Sequence, residues 1–343
     1  MNSLYKITLL TVVLLAIVAC NEVVYFPIDV QVPPKVNLAK NEFTSVLVVD
    51  NLPQTIRVKN VSHLQGESFH HNYDVDSLGI LFKISLANKL RDENFSKNVI
   101  YTTFPVGNKT EANDDTSLLV DTIRKMARDA GADLIFSVDY LDITTDYWEN
   151  RVNTFNYEDS LRTNLTAGIR VFSSNGESLT AFVRPFFSQL WTVRLKTVDR
   201  QTFLDESLLK TALKAAINQT ADKASEPFLP QWNTTNRWYY TAWTGSMVLA
   251  ESYVEQSDWV NAAKTWGESY DKEKKEPKLG KLAFNIALAN EMTDDIENAI
   301  TWINIAKKYE SSFSKGDQER VDEYAKLLNQ RSLDFKKMDQ EKP

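Results

Sequence analysis

The fold of the N-terminal half is decided by Phe43–Asp50 (FTSVLVVD), an aliphatic and β-branched run that ends at the turn signal Asn51-Leu52-Pro53. A short apolar run bounded by turn residues predicts a buried strand. A helix is predicted next, because Leu78 to Leu90 repeats apolar residues at three- and four-residue spacing behind the capping pair Asp76-Ser77. A second strand is predicted over 98–103 (NVIYTT).

The pattern then repeats and changes to antiparallel strands. A second amphipathic helix is predicted from Asp115-Thr116 to a left-handed glycine at Gly131, followed by a strand over 133–141. The alternation over 165–172 and the dipeptide Asn175-Gly176 predict a hairpin with a type I′ turn. A further antiparallel stretch is predicted over 186–194, and Pro185 favours an edge position for it. The element order predicts helices packed on a mixed sheet.

These elements carry a resemblance to known proteins. The strand VLVVD, the junction Ala130-Gly131-Ala132-Asp133 and the hairpin with Asn-Gly together resemble a family of envelope lipoproteins. The N-terminal α/β domain of that family is shared with the curli-secretion lipoprotein and with the amino-terminal domain of the Tol translocation protein. The resemblance implies protein contacts and assembly, and it transfers no catalytic residue.

The first twenty residues predict export and lipid anchoring. Lys6 precedes an uncharged apolar run over 7–18, too short for a comfortable membrane span, so 1–19 is predicted to be a signal peptide. The sequence Ile17-Val18-Ala19-Cys20 resembles a bacterial lipobox, which implies cleavage before Cys20 and acylation of that cysteine. The membrane lipid is therefore one predicted partner. Asn21 stands where inner-membrane retention signals have Asp, so by resemblance we expect the outer membrane, with its periplasmic face favoured.

The segment that follows the cysteine predicts no regular structure. Residues 22–40 contain three prolines and show no helical period. Such composition is typical of an extended linker. We therefore expect 20–40 to be a tether that separates the folded body from the lipid.

The C-terminal part, 201–340, predicts paired helices. A helix is predicted over 205–224, and two later segments match the spacing of a tetratricopeptide repeat, in which small residues let two helices approach. The repeat-packing residues are Ala250, Tyr253, Ala262, Trp266, Ala287, Ala299 and Ala306. Ala262 and Ala299 are 37 residues apart, slightly more than the ideal repeat of about 34.

An aromatic cluster between the two halves is the sharpest candidate for a binding site. Its members are Trp232, Trp238, Tyr239, Tyr240 and Trp243. If they are exposed, they suit stacking on sugars or anchoring of a partner protein. The alternative is that they are buried at the joint between the halves, because Tyr239 and Trp243 have the i, i+4 spacing of a helix face.

Catalytic and cofactor signals are weak. His63, His70 and His71 have no metal-ligand spacing, so neither a metal nor a cofactor is predicted. Asp139, Asp142 and Asp146 could pose paired carboxylates, although such residues are usually solvated loop groups. The single cysteine, predicted to be lipid-bound, excludes disulfides and thiol catalysis within the chain. The net charge of −7 argues against a nucleic-acid partner.

The overall prediction is an α+β protein, with an N-terminal α/β sandwich-like domain over 41–200 and a tetratricopeptide-like helical array over 201–340. As a whole the chain resembles a family of Bacteroidetes outer-membrane lipoproteins of about this length, which implies no activity. We expect a non-enzymatic scaffold or assembly factor that binds envelope proteins through the concave helical face. A glycan-binding lipoprotein that uses the aromatic cluster is the alternative, and a hydrolase is third.

Overall fold

The structure is a computed structural model that describes residues 23–36, 38, 43–64, 67–103, 106, 109–114, 116–151, 156–196, 206–241 and 243–340. The predicted signal peptide, Cys20, and the helix starts predicted at Asp115 and Asp205 lie outside these residues. The chain is 46% helical and 31% strand, with a mixed sheet and a mostly helical C-terminal part, as the sequence predicts. It divides into two compact units. The α/β unit covers 34–230, and the helical unit consists of the residues up to Pro33 together with Gln231–Gln340.

The α/β unit is built on a seven-stranded mixed sheet. Its strands are β2 Ser45–Asp50, β3 Thr55–Leu64, β4 Glu67–Asp76, β5 Asn98–Tyr101, β6 Leu134–Arg151, β7 Asn156–Ser173 and β8 Phe186–Lys196. All six residues of β2 are buried, because β2 lies between the parallel strands β5 and β6 and its alternating side chains enter a core on each face of the sheet. The hairpin of β3 and β4 was not predicted from the sequence. Its strand β3 pairs with the second half of β6.

Two helices cover one face of this sheet and a third covers part of the other. The helix α1, Leu78–Asp92, packs in the main core with Phe136, Leu165 and other inward residues of the long strands. The helix α2, Val120–Ala130, packs on the opposite face against β2 and the start of β6. As predicted, α2 ends at Gly131 in the left-handed conformation, but Thr116 of the predicted start lies outside the helix, which begins at Val120. The predicted cap of α1 is wrong in detail, because Ser77 itself is left-handed and its side chain makes no capping hydrogen bond.

The next helix corrects the predicted boundary between the halves. The helix α3, Glu206–Ser225, was placed by its sequence in the helical part, but it packs in the main core of the α/β unit through Leu209, Leu213 and Ile217. Its side chain Asn218 also accepts a hydrogen bond of 2.7 Å from Ser85 of α1. The division therefore falls at 230/231 rather than 200/201, because the apolar face of α3 completes the cover of the sheet.

The described part of the helical unit contains five α-helices and a two-stranded ribbon. The helices are α4 Gly245–Glu255, α5 Trp259–Tyr270, α6 Glu276–Met292, α7 Ile296–Lys307 and α8 Lys315–Gln340. The ribbon joins β1, Val23–Val32, to β9, Gln231–Tyr240, in antiparallel register, with Val23 opposite Tyr240. Among the described residues, no helix is both long enough and apolar enough to cross a membrane.

The ribbon corrects two predictions. The segment expected to be a tether forms the ten-residue strand β1. Its hydrogen-bonding partner β9 lies about two hundred residues later in the chain, so the local sequence did not indicate the strand. The aromatic cluster was considered as a helix face, yet Gln231–Tyr240 is a strand.

A third correction concerns the hairpin after β7: Gly176 is left-handed with φ 80°, whereas Asn175 is not, so its turn is not type I′.

Candidate interaction surface

The sheet of the α/β unit leaves part of one face open. After a β-bulge between Val138 and Tyr140, the strand β6 points Leu141, Ile143 and Tyr147 into the main core. The alternate side chains of β6 point to the opposite face, beyond the area where α2 packs. We call this surface the open face. It spans the four paired strands β3, β6, β7 and β8. Its residues are Lys59, His63, Asp142, Thr144, Asp146, Trp148, Arg162, Asn164, Ser188 and Leu190.

An aromatic and cationic row crosses the open face near its outer end. The ring of His63 stacks on Trp148, with centroids 5.2 Å apart and planes at 11°. The guanidinium of Arg162 lies 5.1 Å from the Trp148 ring centroid, in the range of a cation–π contact. Leu190, opposite Arg162 in register, extends the row to the edge strand β8 and is 52% exposed. The row thus offers flat apolar area beside fixed donors.

Polar side chains fill the middle of the open face. Lys59 donates to Asp142 at 2.9 Å, and this hydrogen bond raises the pKa of Lys59 above its ordinary value. Asn164 donates to both Thr144 and Asp146 at 3.3 Å. Ser188 donates to Asn164 at 2.6 Å. These bonds fix the side chains while leaving them in contact with solvent, so the surface is ordered without being buried.

A small cleft opens at the inner border of this face. It has a volume of about 260 Å³ and is lined by charged and polar groups of β3 and β4 and by the segment 110–113. Arg57 and Asp74 form an exposed ion pair of 3.4 Å across it. Ligand pockets usually have volumes of about 300–1,000 Å³ and mostly apolar walls. The cleft is therefore better suited to one side chain of a partner than to a small-molecule substrate.

The three carboxylates considered for acid–base chemistry are held by different donors. Asp139 is fully buried at the bulge and accepts hydrogen bonds of 2.7 Å from Asn51, Ser137 and Arg170. Asp142 is paired with Lys59 and Asp146 with Asn164. Each carboxylate therefore has an evident structural role.

A second buried charged pair lies at the carboxyl end of β2. Asp50 and Lys83 are both almost fully buried, and burial raises the pKa of Asp50 to about 6 while it lowers the pKa of Lys83. The N–H of Leu52 donates to Asp50 at 3.0 Å, and Lys83 donates to Thr102 at 3.3 Å. Gly79 makes room for the carboxylate, because a Cβ there would come within 2.8 Å of it.

The helical unit, by contrast, closes its inner face with its own ribbon. The helix α6 is buried from Leu282 to Ala289 on every side, and β9 packs against it. The side chain of Asn285 both accepts from the backbone N–H of Tyr240 at 2.8 Å and donates to its carbonyl at 2.9 Å. Trp238 stacks on Phe284 with centroids 6.0 Å apart. The ribbon is thus fixed to α6 by both hydrogen bonds and aromatic packing.

A buried ionic network strengthens this closure. Arg237 of the ribbon makes a bidentate pair with Glu291 of α6, at 2.7 and 2.9 Å. The hydroxyl of Tyr324 donates to Glu291 at 2.7 Å, and Arg331 donates at 3.1 Å. Burial is the main cause of the raised pKa of Tyr324, and Glu291 adds to it. One carboxylate therefore ties β9 and α8 to the central helix.

Comparison with known protein families places the chain. Residues 43–240, more than half of its length, match the family described as a domain of unknown function, DUF8603. The chain belongs to the DUF8603 family. Residues 248–330 of this DUF8603 protein also match a second domain of unknown function, DUF6340. A search of curated protein sequences finds no match.

Solved structures show only distant similarity to the DUF8603 protein. The lipoprotein GNA1162 of Neisseria meningitidis is 17% identical over 52% of this chain and 99% of its own, with a TM-score of 0.17. A putative neuraminyllactose-binding hemagglutinin homolog of Helicobacter pylori is 12% identical over 58% of this chain and 87% of its own, with a TM-score of 0.26. Similarities at this level carry no inference, and the predicted relation to curli-secretion and Tol proteins stays a prediction.

The aromatic cluster is not an exposed platform in the DUF8603 protein. Trp238, Tyr239 and Tyr240 are core residues of the helical unit, Trp243 is half-buried and only Trp232 is strongly exposed, at 68%. Glycan stacking on this cluster is therefore not supported. Both faces of the strand are covered at this end, because Trp238 and Tyr240 pack on α6 and Tyr239 packs on α5.

The repeat-packing residues are found inside the helical unit. Ala250, Ala262, Trp266, Ala287, Ala299 and Ala306 are buried, and Tyr253 is half-buried. The turns between the helices repeat as well: Asp258 and Asp295 cap α5 and α7 with equal geometry, and each accepts at 3.2 Å from the N–H three residues later. The residues before them, Ser257 and Asp294, are both left-handed. The helix pairs thus repeat at the 37-residue interval, and their tetratricopeptide character stays a prediction.

Several features of these surfaces had no specific signal in the sequence. His63 and His70 lie on β3 and β4, and no group of three or more potential metal ligands occurs among the described residues. His63 instead packs on Trp148. Alternation of polar residues along β7 was the only hint of an open sheet face, because the strands β3 and β8 that widen it pair with residues distant in sequence.

Proposed function

We propose that this DUF8603 protein is a non-enzymatic, lipid-anchored scaffold of the bacterial cell envelope, in which acylated Cys20 holds the helical unit at the outer membrane and the open face binds a partner protein. The observation that carries the proposal is the contrast between a helical inner face closed by the ribbon and a sheet face left open. The proposed partner surface is therefore on the α/β unit rather than on the concave helical face first expected.

The lipobox-like sequence supports the anchor. Val23, the first residue of β1, lies only three residues after Cys20. An anchored chain would therefore enter a folded ribbon directly after the lipid, without a long tether. This short connection suits a protein that is assembled at the bilayer surface.

The composition of the open face supports protein binding. Protein interfaces combine aromatic and arginine residues with polar groups in fixed positions. Four strands at a spacing of about 4.8 Å make the face about 14 Å wide from β3 to β8. Its edge strand β8 pairs on one side only, with β7, among the described strands. A partner could therefore add a strand along β8 and also pack on Leu190 and Arg162.

The test is capture of partners from intact cells with a tagged full-length protein after chemical cross-linking. We compare the wild type with Leu190→Asp on the open face. The matched control is Leu333→Asp on α8, because the two leucines have nearly equal exposed fractions, 52% and 53%. Cys20→Ser serves as the unanchored variant.

We expect a reproducible set of envelope proteins that is lost with Leu190→Asp, retained with Leu333→Asp and reduced with Cys20→Ser. Equal capture by both leucine variants would show that the open face is not the partner surface. Recovery of the protein alone under efficient cross-linking would contradict the scaffold proposal itself.

A further inference from the structure

The ends of several helices of the helical unit lie close to the start of β1, which is the end of the ribbon nearest to Cys20. Val23 is opposite Tyr240, and Lys281, near the start of α6, lies 5.0 Å from the Tyr240 ring. Lys278, also near the start of α6, lies 5.4 Å from the ring of Trp243. The end of α5 joins the start of α4 through a hydrogen bond of 2.9 Å between Ser269 and Ser246. The first turns of α4 and α6 are therefore close to the start of β1.

This end of the unit exposes apolar and aromatic side chains. Val24 and Tyr25 lie four and five residues after Cys20 and are 39% and 58% exposed. Val248 and Leu249, in the first two turns of α4, are 58% and 49% exposed. Trp243, half-buried beneath Lys278, precedes them. We call these five residues the anchor-side rim. Tyr and Trp side chains beside exposed aliphatic residues are typical of the membrane–water interface.

The charges of the two ends of the helical unit differ. The connection between α5 and α6 on the rim side balances its charges, with lysines at 272, 274 and 275 among acids at 271, 273 and 276. The opposite end, where α4 and α6 end and α5 and α7 begin, is acidic. Its acidic residues are Glu255, Asp258, Asp294, Asp295 and Glu297, and of these Asp294 pairs with Arg331 at 3.1 Å. An anionic lipid surface would repel the acidic end and tolerate the balanced one.

The length of the connection restricts where the lipid can lie. Three peptide steps separate Cys20 from Val23, and such a segment can span at most about 10 Å. The bilayer surface must therefore lie within about 10 Å of the start of β1 whenever Cys20 is acylated. The rim is the part of the described helical unit that surrounds this point.

We infer that the anchor-side rim is a lipid-contacting surface, which docks the helical unit on the bilayer with the first turns of α4 and α6 towards the headgroups. The inference rests on the proposed anchoring at Cys20. Tyr25 and Trp243 insert at the headgroup level, and Val24, Val248 and Leu249 contact the upper acyl region. Lipidation supplies the affinity, and the rim sets the orientation.

The experiment uses the acylated full-length protein in vesicles of phosphatidylcholine and phosphatidylglycerol. Cys20 is the only cysteine, so the acylated chain has no free thiol and accepts a single label at an engineered site. An environment-sensitive fluorophore is attached to Leu249→Cys on the rim. The control is Val260→Cys, in the first turn of α5 at the acidic end, where the native valine is 67% exposed. Flotation of wild type and Cys20→Ser tests the anchor independently.

We expect wild-type protein to float with the vesicles and Cys20→Ser to remain in solution. The label at 249 should show a blue-shifted emission and lose most of its quenching by aqueous iodide, whereas the label at 260 should show neither change. Flotation with both labels equally accessible to iodide, or equally protected, would overturn the docked orientation and leave the anchor intact. Failure of wild-type protein to float would overturn the anchor and the docking together.

Discussion

The helical unit and the α/β unit treat their exposed secondary structure in opposite ways. In the helical unit, the face of α6 that a repeat array would offer to a partner is covered by β9 of the same chain. In the α/β unit, two helices pack on one face of the sheet, yet the second half of the other face stays open among the residues that the structure describes. A helical-repeat pattern therefore does not identify a binding groove until the segments that flank it are placed.

The ribbon and the open face also use charged groups differently. The side chains of the ion pair between Arg237 and Glu291 are both almost inaccessible to solvent. The pair of Lys59 and Asp142 has side chains that are 51% and 30% exposed. Removing one partner of a buried pair leaves an uncompensated charge in the core and costs about 3–5 kcal/mol, whereas exposed pairs contribute about 0–1 kcal/mol. Charge therefore fixes the ribbon to α6, whereas on the open face it lies at the surface.

The largest effect is expected from breaking the buried network. Glu291→Ala leaves Arg237 without its bidentate partner and Tyr324 without its acceptor, so we expect a loss of about 3–5 kcal/mol in the free energy of unfolding. Urea unfolding followed by tryptophan fluorescence measures it, since six of the eight tryptophans belong to the helical unit. The control Glu297→Ala, an exposed glutamate on α7, should change stability by less than about 0.5 kcal/mol. Similar losses in both variants would refute the role assigned to the network.

The next effect concerns a buried carboxylate of the α/β unit. Burial raises the pKa of Asp50 from 3.8 to about 6, so the native state binds this proton more tightly than the unfolded chain does. This group therefore removes stability as the pH rises through that window, by up to about 3 kcal/mol.

Replacement of Asp50 by asparagine should abolish that contribution while keeping the shape of the side chain. We expect the stability of Asp50→Asn relative to wild type to increase from about pH 4 to about pH 7, by up to about 3 kcal/mol. Urea unfolding followed by circular dichroism at several pH values gives this difference. A difference that does not vary with pH would show that Asp50 ionises normally in the folded protein.

The smallest effect is expected on the open face. Asp142→Asn removes the exposed ion pair with Lys59, and we expect a change of less than about 1 kcal/mol in the free energy of unfolding. The same urea experiment measures it, with Glu291→Ala as the reference for a buried pair. A loss as large as that of Glu291→Ala would mean that the open face belongs to the folded core, and the comparison of the two units would fail.

Local sequence patterns predicted the elements whose signals are contiguous. The strand β2, the helix α1 and the left-handed Gly131 follow from runs and spacings of a few residues. The 37-residue repeat was also visible, because the same cap and small residues recur in each helix pair. These features depend on neighbours in the sequence, so one chain is enough to find them.

Pairing between distant segments was beyond such patterns. β1 contains Pro27 and shows no helical period, and only its pairing with β9 makes it a strand. For the same reason the aromatic residues of β9 could not be assigned to core or surface until α6 was placed beneath them. The open face requires three separate pairings of β6, β7 and their neighbours, and it is therefore a property of the sheet rather than of any segment.

The most direct test of the account is native-state hydrogen exchange of the ribbon. We predict that the amides of Trp238, Tyr239 and Tyr240 exchange only when the helical unit unfolds, with the same free energy and denaturant dependence as amides near Leu288 of α6. Exchange of the ribbon at much lower free energy, while α6 stays protected, would show that the ribbon is not part of the folded core of the helical unit. The ribbon would then be a detachable cover, and the helical inner face would again be available to a partner.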